Sequence, residues 1–212
     1  MQVIVVAVQV LGVWALTDFL SGVFHWLEDA YGKPSWPIVG RHVTKPNILH
    51  HYVPRAFTTN SWFISSRLLL VICATITAVT AALGVFNWMV ALSMVLGANA
   101  NQVHKWSHRS PRENGRVVTM LQRLKIIQSP SSHRRHHQHG QDSDYCVLTD
   151  FLNPVLDGLR FWRGAEWVIQ RVFGVARRDD EAMAREVLAS DPGFFGENLA
   201  AVRQQLARRD AA

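Results

Sequence analysis

Residues 3–26 read VIVVAVQVLGVWALTDFLSGVFHW, an apolar run whose only ionisable side chains are Asp18 and His25. At ~1.5 Å per residue, a helix of this length crosses a hydrocarbon core of ~30 Å. We therefore predict a first membrane-spanning helix over 3–26. A secretory signal peptide is the competing interpretation, but no basic residue precedes the run and no convincing small-residue cleavage site follows it.

A second apolar stretch, residues 68–104, reads LLLVICATITAVTAALGVFNWMVALSMVLGANANQVH without one charged residue. It is too long for one crossing and suits two, over 68–86 and 87–104, with Gly84, Asn87 and Trp88 at the turn between them. The predicted fold is therefore all-α: an integral membrane protein with about three transmembrane helices and a histidine-rich helical cap.

The basic residues predict the orientation in the membrane. All 22 Lys and Arg lie within 33–67 or 105–212. The positive-inside rule places both regions in the cytoplasm and the N-terminus outside, in the inner membrane if the protein is bacterial. The net charge of +6 then favours contact with anionic lipid headgroups over nucleic acid.

The remaining segments complete one compact domain, predicted over 1–178. Residues 179–212 are expected to form a solvated helical tail without chemistry, broken near Pro192. The other predictions are two cytoplasmic histidine-bearing segments over 27–67 and 105–150, a short helix around His50, an amphipathic helix over 117–128 and an interfacial helix over 155–175.

Histidines cluster at or just beyond the ends of these apolar segments. A metal centre needs neutral imidazoles that converge from different segments, and residues four apart, such as His104 and His108, share one helix face. His42 and His139 stand outside the clusters and are expected to be surface residues. We predict a metal centre at the membrane surface with the ligands His25, His50, His51, His104, His108, His133, His136 and His137.

The type and number of ligands indicate the metal. Zinc usually takes four ligands, so eight imidazoles are too many for one zinc ion, and two iron ions with room for dioxygen fit better. No catalytic residue beyond the ligands is expected. The division of the ligands between the two metals stays open. The adjacent histidines of each pair, His50 with His51 and His136 with His137, can bridge the two metals or bind one metal each. Cys73 and Cys146 have no plausible disulfide partner.

Polar residues on the helices are candidates to support the ligands. Asp18 either accepts a hydrogen bond from a ligand imidazole or pairs with a neighbouring helix, and Asn101 either orients an imidazole or joins two helices. Asp29 is a further candidate, supporting or structural. Two of these candidates, Asp18 and Asp29, lie on one polar stripe of the first helix, together with Gly22 and His25 at helical spacing.

A set of basic residues follows the histidines closely in sequence. This surface has three open interpretations: it docks an acidic electron donor, binds the substrate phosphate, or simply faces anionic lipid. Its members are Lys105, Arg109, Arg112, Arg134 and Arg135.

Five blocks, in order and with matching spacing, resemble the plasmanylethanolamine desaturases (CarF in bacteria) and a plastid phosphatidylglycerol desaturase of the same domain. The resemblance covers roughly residues 15–175. The blocks are Asp18-Phe19-x-Ser21-Gly22-x-x-His25-Trp26-x-x-Asp29-x-x-Gly32, Pro37-Ile38-Val39-Gly40, His50-His51-x-x-Pro54, Asn101-Gln102-x-His104-Lys105-Trp106-Ser107-His108 and His133-x-x-His136-His137.

This resemblance implies an oxygen-dependent phospholipid desaturase with a di-iron centre at the histidines. It further implies a separate cytochrome b5-like or ferredoxin-like electron donor, because the chain has no haem, flavin or iron–sulfur motif. The reaction expected first is conversion of plasmanylethanolamine to its vinyl ether, a plasmalogen; desaturation of an acyl chain is the alternative. Animal members carry Arg-His where this chain has Thr59-Asn60.

Two further functions stay open at this stage. One is a lipid hydroxylase: after the first hydrogen is removed from a lipid C–H bond, oxygen is inserted at that carbon, whereas a desaturase removes a second hydrogen. A membrane metal carrier is the non-enzymatic alternative, although carriers usually place their ligands at the bilayer midplane, whereas these histidines gather at one surface.

Overall fold

The computed structural model describes residues 1–138 and 142–210, and within these ranges every regular element is a helix, as predicted. Short π and 3₁₀ segments occur at Gly40–Thr44, Ala56–Thr59 and Pro192–Asn198. The α-helices are α1 (Gln2–Tyr31), α2 (Lys45–Tyr52), α3 (Trp62–Ala82), α4 (Trp88–Ala98), α5 (Ala100–Ser107), α6 (Pro111–Arg123), α7 (Pro130–Gln138), α8 (Asn153–Gly158), α9 (Phe161–Phe173), α10 (Asp180–Ser190) and α11 (Leu199–Asp210).

Helices α1 and α3 are long and apolar enough to cross a membrane, and they correspond to the predicted spans 3–26 and 68–86. Only 17% of the most apolar window of α1 and 6% of that of α3 is buried inside the protein. Helices of a soluble core bury their apolar residues, so the outward-facing residues of α1 and α3 are suited to lipid.

The third predicted span, 87–104, is broken. Helix α4 begins as expected, because the side chain of Asn87 accepts hydrogen bonds from the backbone N–H groups of Met89 and Val90. It ends at Ala98, where the Asn99 side-chain amide donates to the carbonyl of Val95 at 2.8 Å and competes with the helical backbone. Eleven residues of helix are too short to cross a bilayer alone. Helix α5 continues the chain beyond this break and carries His104.

The polar stripe on α1 is buried, and the chain segment 144–149 packs against it. Asp18 accepts hydrogen bonds from Leu148 N at 2.9 Å and Thr149 Oγ1 at 2.5 Å. Gly22 permits this approach, since a Cβ atom there would lie 2.7 Å from Cys146 Sγ. Both alternatives predicted for Asp18 are therefore wrong: it holds an irregular segment in place, not an imidazole or a helix.

The predicted amphipathic and interfacial helices have different bounds from those expected. Helix α6 is interrupted at Gly115 (φ 74°, ψ 177°): a turn capped by Ser110 and Glu113 precedes the break, and the continuous helix follows it close to the predicted start. The helix ends at Arg123, not 128. The interfacial segment divides into α8 and α9, with Arg160 in the left-handed conformation at φ 52°. Trp167, Val172 and Phe173 leave an exposed apolar face on α9, which suits a membrane interface.

The C-terminal tail breaks near Pro192 as predicted, but it is not a solvated terminus. Helices α10 and α11 bury Ala184, Val187, Val202 and Leu206 together with Phe195, and this cluster packs against Ile48 and Tyr52 of α2. The tail therefore supports the helix that carries His50 and His51. The two cysteines are free, as predicted.

Candidate metal centre

The eight histidines predicted as ligands come together from four parts of the chain: α1, α2, the end of α5 and α7. They form two adjoining groups in which the possible ligand atoms lie within 4.8 Å of one another. The first group, called the five-histidine group below, consists of His50, His104, His108, His133 and His137, and the second, called the aspartate group, consists of His25, Asp29, His51 and His136.

In the five-histidine group, imidazole nitrogens from different helices face one another. His104 Nε2 lies 2.8 Å from His133 Nε2 and 3.1 Å from His50 Nε2. His137 Nε2 lies 3.1 Å from His133 Nε2. Each neutral imidazole has one nitrogen with a lone pair, and such nitrogens repel unless a proton or a cation lies between them. The arrangement therefore suits a shared cation.

In the aspartate group, three imidazoles surround one buried carboxylate. Asp29 Oδ1 lies 3.4 Å from His51 Nε2, and Asp29 Oδ2 lies 3.3 Å from His136 Nε2 and 3.7 Å from His25 Nε2. The carboxylate also accepts a hydrogen bond from Asn47 Nδ2 at 2.8 Å. Asp29, expected to be only a supporting residue, thus lies where a ligand would.

Two carbonyl groups orient ligands of the aspartate group. His25 Nδ1 lies 3.0 Å from the Tyr145 carbonyl oxygen, and His136 Nδ1 lies 2.8 Å from that of Ser143. A carbonyl only accepts hydrogen bonds, so each Nδ1 carries the proton and each Nε2 keeps its lone pair. Both Nε2 atoms therefore face Asp29 as metal-binding nitrogens would.

Many of the polar atoms in the two groups are buried and have no hydrogen-bond partner among the described residues. Buried polar atoms are nearly always satisfied, so such a concentration needs an explanation. Metal ligation supplies one, and the nitrogen-rich donor set with one carboxylate fits transition-metal ions. The atoms are His25 Nε2, Asp29 Oδ2, His50 Nδ1, both ring nitrogens of His51, His108 Nε2, His133 Nδ1, His136 Nε2 and His137 Nδ1.

The environment keeps the five-histidine group neutral. Burial, together with the positive charge that protonated neighbouring histidines would carry, lowers the pKa of His50 and of His133 well below the ordinary value. The same causes lower the pKa of His108 to about 3. Since a protonated imidazole cannot bind a metal, these shifts favour ligation near neutral pH.

A short segment covers the five-histidine group. Phe57 of the turn Ala56–Thr59 packs on His50, His104 and His108, with ring centroids 4.8, 5.1 and 5.6 Å apart. Lys105 donates a hydrogen bond to the Asn60 carbonyl at 2.8 Å, and Arg109 donates to that of Thr58 at 2.7 Å. This turn excludes water from one side of the group.

The prediction of a basic surface is therefore wrong in part. Lys105 is buried and holds the turn at Asn60, and Arg109 is half-buried and holds Thr58. Arg135 forms an ion pair with Asp144 at 2.7 Å. Arg112 and Arg134 are exposed. Lys105 and Arg109 thus use their charges inside the protein.

The other predicted residues are placed as follows. His42 is exposed, lies 3.0 Å from an Arg67 nitrogen and belongs to neither group. Asn101 donates to the Ser65 carbonyl at 2.7 Å and so joins α5 to α3, the second of its two predicted roles. His139 lies outside the described residues.

Sequence reasoning missed two neighbours of the centre, Phe57 and Asp180. Asp180 Oδ2 lies 3.8 Å from His51 Nδ1, although it belongs to the tail that was expected to carry no chemistry. No spacing signal marked either residue, because long-range packing brings each to the site. Asp29 did carry a signal, since it follows His25 by one helical turn.

The chain is similar in sequence to several proteins named as desaturases. The chain is 31% identical to plasmanylethanolamine desaturase 1 of Mus musculus, covering 81% of this chain and 69% of that one. It is 30% identical to plasmanylethanolamine desaturase of Myxococcus xanthus, and the match covers 81% of this chain and 63% of that one. It is 29% identical to a probable fatty acid desaturase of Acanthamoeba polyphaga mimivirus, and that match covers 82% of this chain and 87% of the viral protein.

No solved structure matches the chain. The family profile described as the lipid desaturase domain matches residues 14–180, which include all nine residues of the two groups. The chain therefore belongs to the lipid desaturase domain family.

Proposed function

We propose that this protein is a membrane di-iron desaturase that introduces a double bond into a phospholipid chain, with plasmanylethanolamine as the preferred substrate and plasmenylethanolamine, a plasmalogen, as the product. The observation that carries the proposal is the pair of adjoining donor groups, five imidazoles in one and three imidazoles with Asp29 in the other. Two such groups side by side suit two metal ions.

We assign one iron to each group: the five-histidine group would hold one and the aspartate group the other. The two donor sets support this division, which the sequence left open. When bound, the iron pair supplies the dioxygen activation and one-electron chemistry that an unactivated C–H bond requires. Two hydrogens leave adjacent carbons, and two electrons and two protons from outside complete the reduction of dioxygen to two waters.

The chain's own residues prepare the site for this reaction. The carbonyls of Tyr145 and Ser143 fix the tautomers of His25 and His136. Phe57 shields the five-histidine group from water. The centre adjoins α1 and α5, beside the helices whose apolar faces suit lipid, so a substrate chain can reach it from the bilayer. Positioning of that chain would select the bond to be oxidised.

The substrate assignment is supported by two relatives named plasmanylethanolamine desaturase. The runner-up is acyl-chain desaturation, on phosphatidylglycerol or another phospholipid, which is favoured by relatives from Arabidopsis thaliana and mimivirus that are named fatty acid desaturases. The departure at Thr59-Asn60 lies next to Phe57, at the rim of the turn that covers the five-histidine group. Hydroxylation of the lipid and metal transport are the remaining alternatives.

The reaction requires an external reductant, and we propose a cytochrome b5-like or ferredoxin-like protein. We further propose that the histidine-rich side faces the cytoplasm, where such donors are available. The distribution of Lys and Arg supports this orientation, because none lies in 1–32 or 68–104.

Lipid mass spectrometry tests the proposal. Cells with and without the chain are supplied with alkyl-ether phosphatidylethanolamine, and lipids are analysed before and after acid hydrolysis. The expected product is two mass units lighter and acid-labile, as a vinyl ether is. A mass loss of two units in acyl phospholipids alone would favour the runner-up, and a gain of one oxygen would favour hydroxylation.

A further inference from the structure

A second polar site lies beside the metal centre, where the chain after α7 meets the junction of α8 and α9. It is a cavity of about 510 Å³. Its lining residues are Asp142, Ser143, Asp157, Arg160, Trp162 and Arg163. None of them belongs to either metal-binding group.

The cavity contains both signs of charge in equal number. Arg163 and Asp142 form an ion pair across it. Asp157 accepts hydrogen bonds from the backbone N–H of Asp144, but no Lys or Arg of the described residues lies within ion-pair distance of it, and burial raises its pKa to about 6. Arg160 likewise forms no ion pair with a described residue. The lining is thus prepared for a ligand that carries one anionic and one cationic group.

Trp162 lies behind this lining: it is 1% exposed, and its indole N–H is closed off from solvent. The backbone of the lining carries the feature that points to a ligand. Arg160 has positive φ and ψ, 52° and 36°, a conformation that is unfavourable for a residue with a side chain and that tends to occur at functional sites.

The cavity is close to both the metal centre and the membrane surface. The Ser143 carbonyl accepts the hydrogen bond from His136, so the cavity wall is one hydrogen bond away from a member of the aspartate group. Helix α9, whose first turn lines the cavity, presents exposed Trp167, Val172 and Phe173 farther along its length. If desaturation occurs next to the ether oxygen, only the glycerol unit separates the reacting carbons from the phosphate. The headgroup must then bind very near the metals.

We propose that this cavity binds the phosphoethanolamine headgroup of the lipid substrate, an inference that rests on the proposed function. Arg160 and Arg163 bind the phosphate, and Asp142 and Asp157 bind the ammonium group. On binding, the Arg163–Asp142 pair opens, and each partner pairs with the opposite charge of the zwitterion, so no charge is left uncompensated.

This arrangement predicts headgroup selectivity. A choline headgroup is bulkier and has no N–H to donate to the carboxylates. A phosphatidylglycerol headgroup carries no cation, so Asp157 would remain unpaired, and the lipid phosphate would have to compete with Asp142 for Arg163. Ethanolamine lipids should therefore bind in preference to both.

The test measures binding without requiring turnover. Full-length protein in detergent is offered an equimolar mixture of phosphatidylethanolamine, phosphatidylcholine and phosphatidylglycerol, and retained lipids are identified by native mass spectrometry. Wild type should retain the ethanolamine lipid. Asp142→Asn and Asp157→Asn should each reduce its preference over phosphatidylglycerol about tenfold, as expected for loss of a charge-assisted hydrogen bond. Arg171→Gln, on the exposed surface of α9 and outside the cavity lining, is the control and should keep the preference.

Further arms separate the possible failures. Unchanged selectivity in both aspartate variants overturns the site, whether or not the wild type desaturates lipids. If the aspartate variants lose selectivity and the wild type shows no desaturase activity, the headgroup site is supported while the proposed function fails. If soluble glycerophosphoethanolamine binds the wild type and not the variants, while lipid retention is the same in all, the cavity serves a soluble phosphoester and the lipid assignment is overturned. Thermal unfolding of each variant identifies any that fail to fold, and Arg163→Gln then replaces it.

Discussion

Substitution of Gly22 by alanine tests how the segment 144–149 positions His25. The added Cβ atom would lie 2.7 Å from Cys146 Sγ and 3.2 Å from Cys146 N, whereas ordinary Cβ contacts begin at 3.4 Å. The Sγ atom would have to move by about 0.7 Å and the backbone nitrogen by about 0.2 Å. The backbone of Cys146 cannot move away easily, because its N–H and C=O are both bonded to the Asn153 side chain at 2.9 Å.

The expected cost of Gly22→Ala is about 1–3 kcal/mol of unfolding free energy, the usual range for overpacking a tight contact. Movement of the segment also lengthens the 3.0 Å contact between His25 Nδ1 and the Tyr145 carbonyl. Iron bound in the aspartate group should therefore decrease along with stability.

The assay is unfolding in mixed detergent micelles, followed by circular dichroism, with iron content measured on the same samples. Gly12→Ala is the matched control, because it lies on the same helix with nothing within 4 Å of the added Cβ. Adding Cys146→Ala to Gly22→Ala removes the closest contact and should recover part of the loss. The reasoning is refuted if Gly22→Ala matches Gly12→Ala in both stability and iron content.

Four further predictions follow from the site. His108→Ala or His137→Ala should abolish turnover and leave membrane insertion intact, as judged by activity and membrane fractionation; normal turnover would remove that residue from the site. His42→Ala and His139→Ala should keep full iron content, and iron loss in either would show that the ligand set is incomplete. Asp180→Asn should lower iron content modestly through its contact with His51, measured by elemental analysis against Asp179→Asn. Because the pKa values of these histidines are lowered, the imidazoles stay neutral as pH falls, so iron binding by the five-histidine group should stay nearly constant from pH 7.5 to 5.5 in titrations of apo-protein. An imidazole of ordinary pKa, about 6.5, would reduce the iron affinity about tenfold at pH 5.5. A decline of that size would contradict the lowered pKa values.

Local patterns in the sequence predicted much of the fold. The apolar runs identified α1 and α3, and the turn near Gly84 and Asn87 lies where expected. The break at Asn99 was missed because a single polar side chain bonded to Val95 interrupts an otherwise apolar helix. Composition does not reveal such local competition for a backbone carbonyl.

The site was predictable to the extent that ligand chemistry is local. Histidine spacing identified all eight imidazoles that the two groups contain. Asp18 was misinterpreted because its partners, Leu148 and Thr149, are about 130 residues away along the chain. Asp180 and Phe57 reach the centre through tertiary packing of the tail and of a short turn, which periodicity does not encode.

The central claim is that the two donor groups hold two iron ions. The most direct measurement is metal analysis and Mössbauer spectroscopy of protein purified from cells grown in ⁵⁷Fe, for wild type and Asp29→Ala. We expect two irons per chain in unequal environments, and a decrease toward one iron in Asp29→Ala as the aspartate group loses its carboxylate. A single metal per chain, or zinc alone from iron-replete cells, would contradict it.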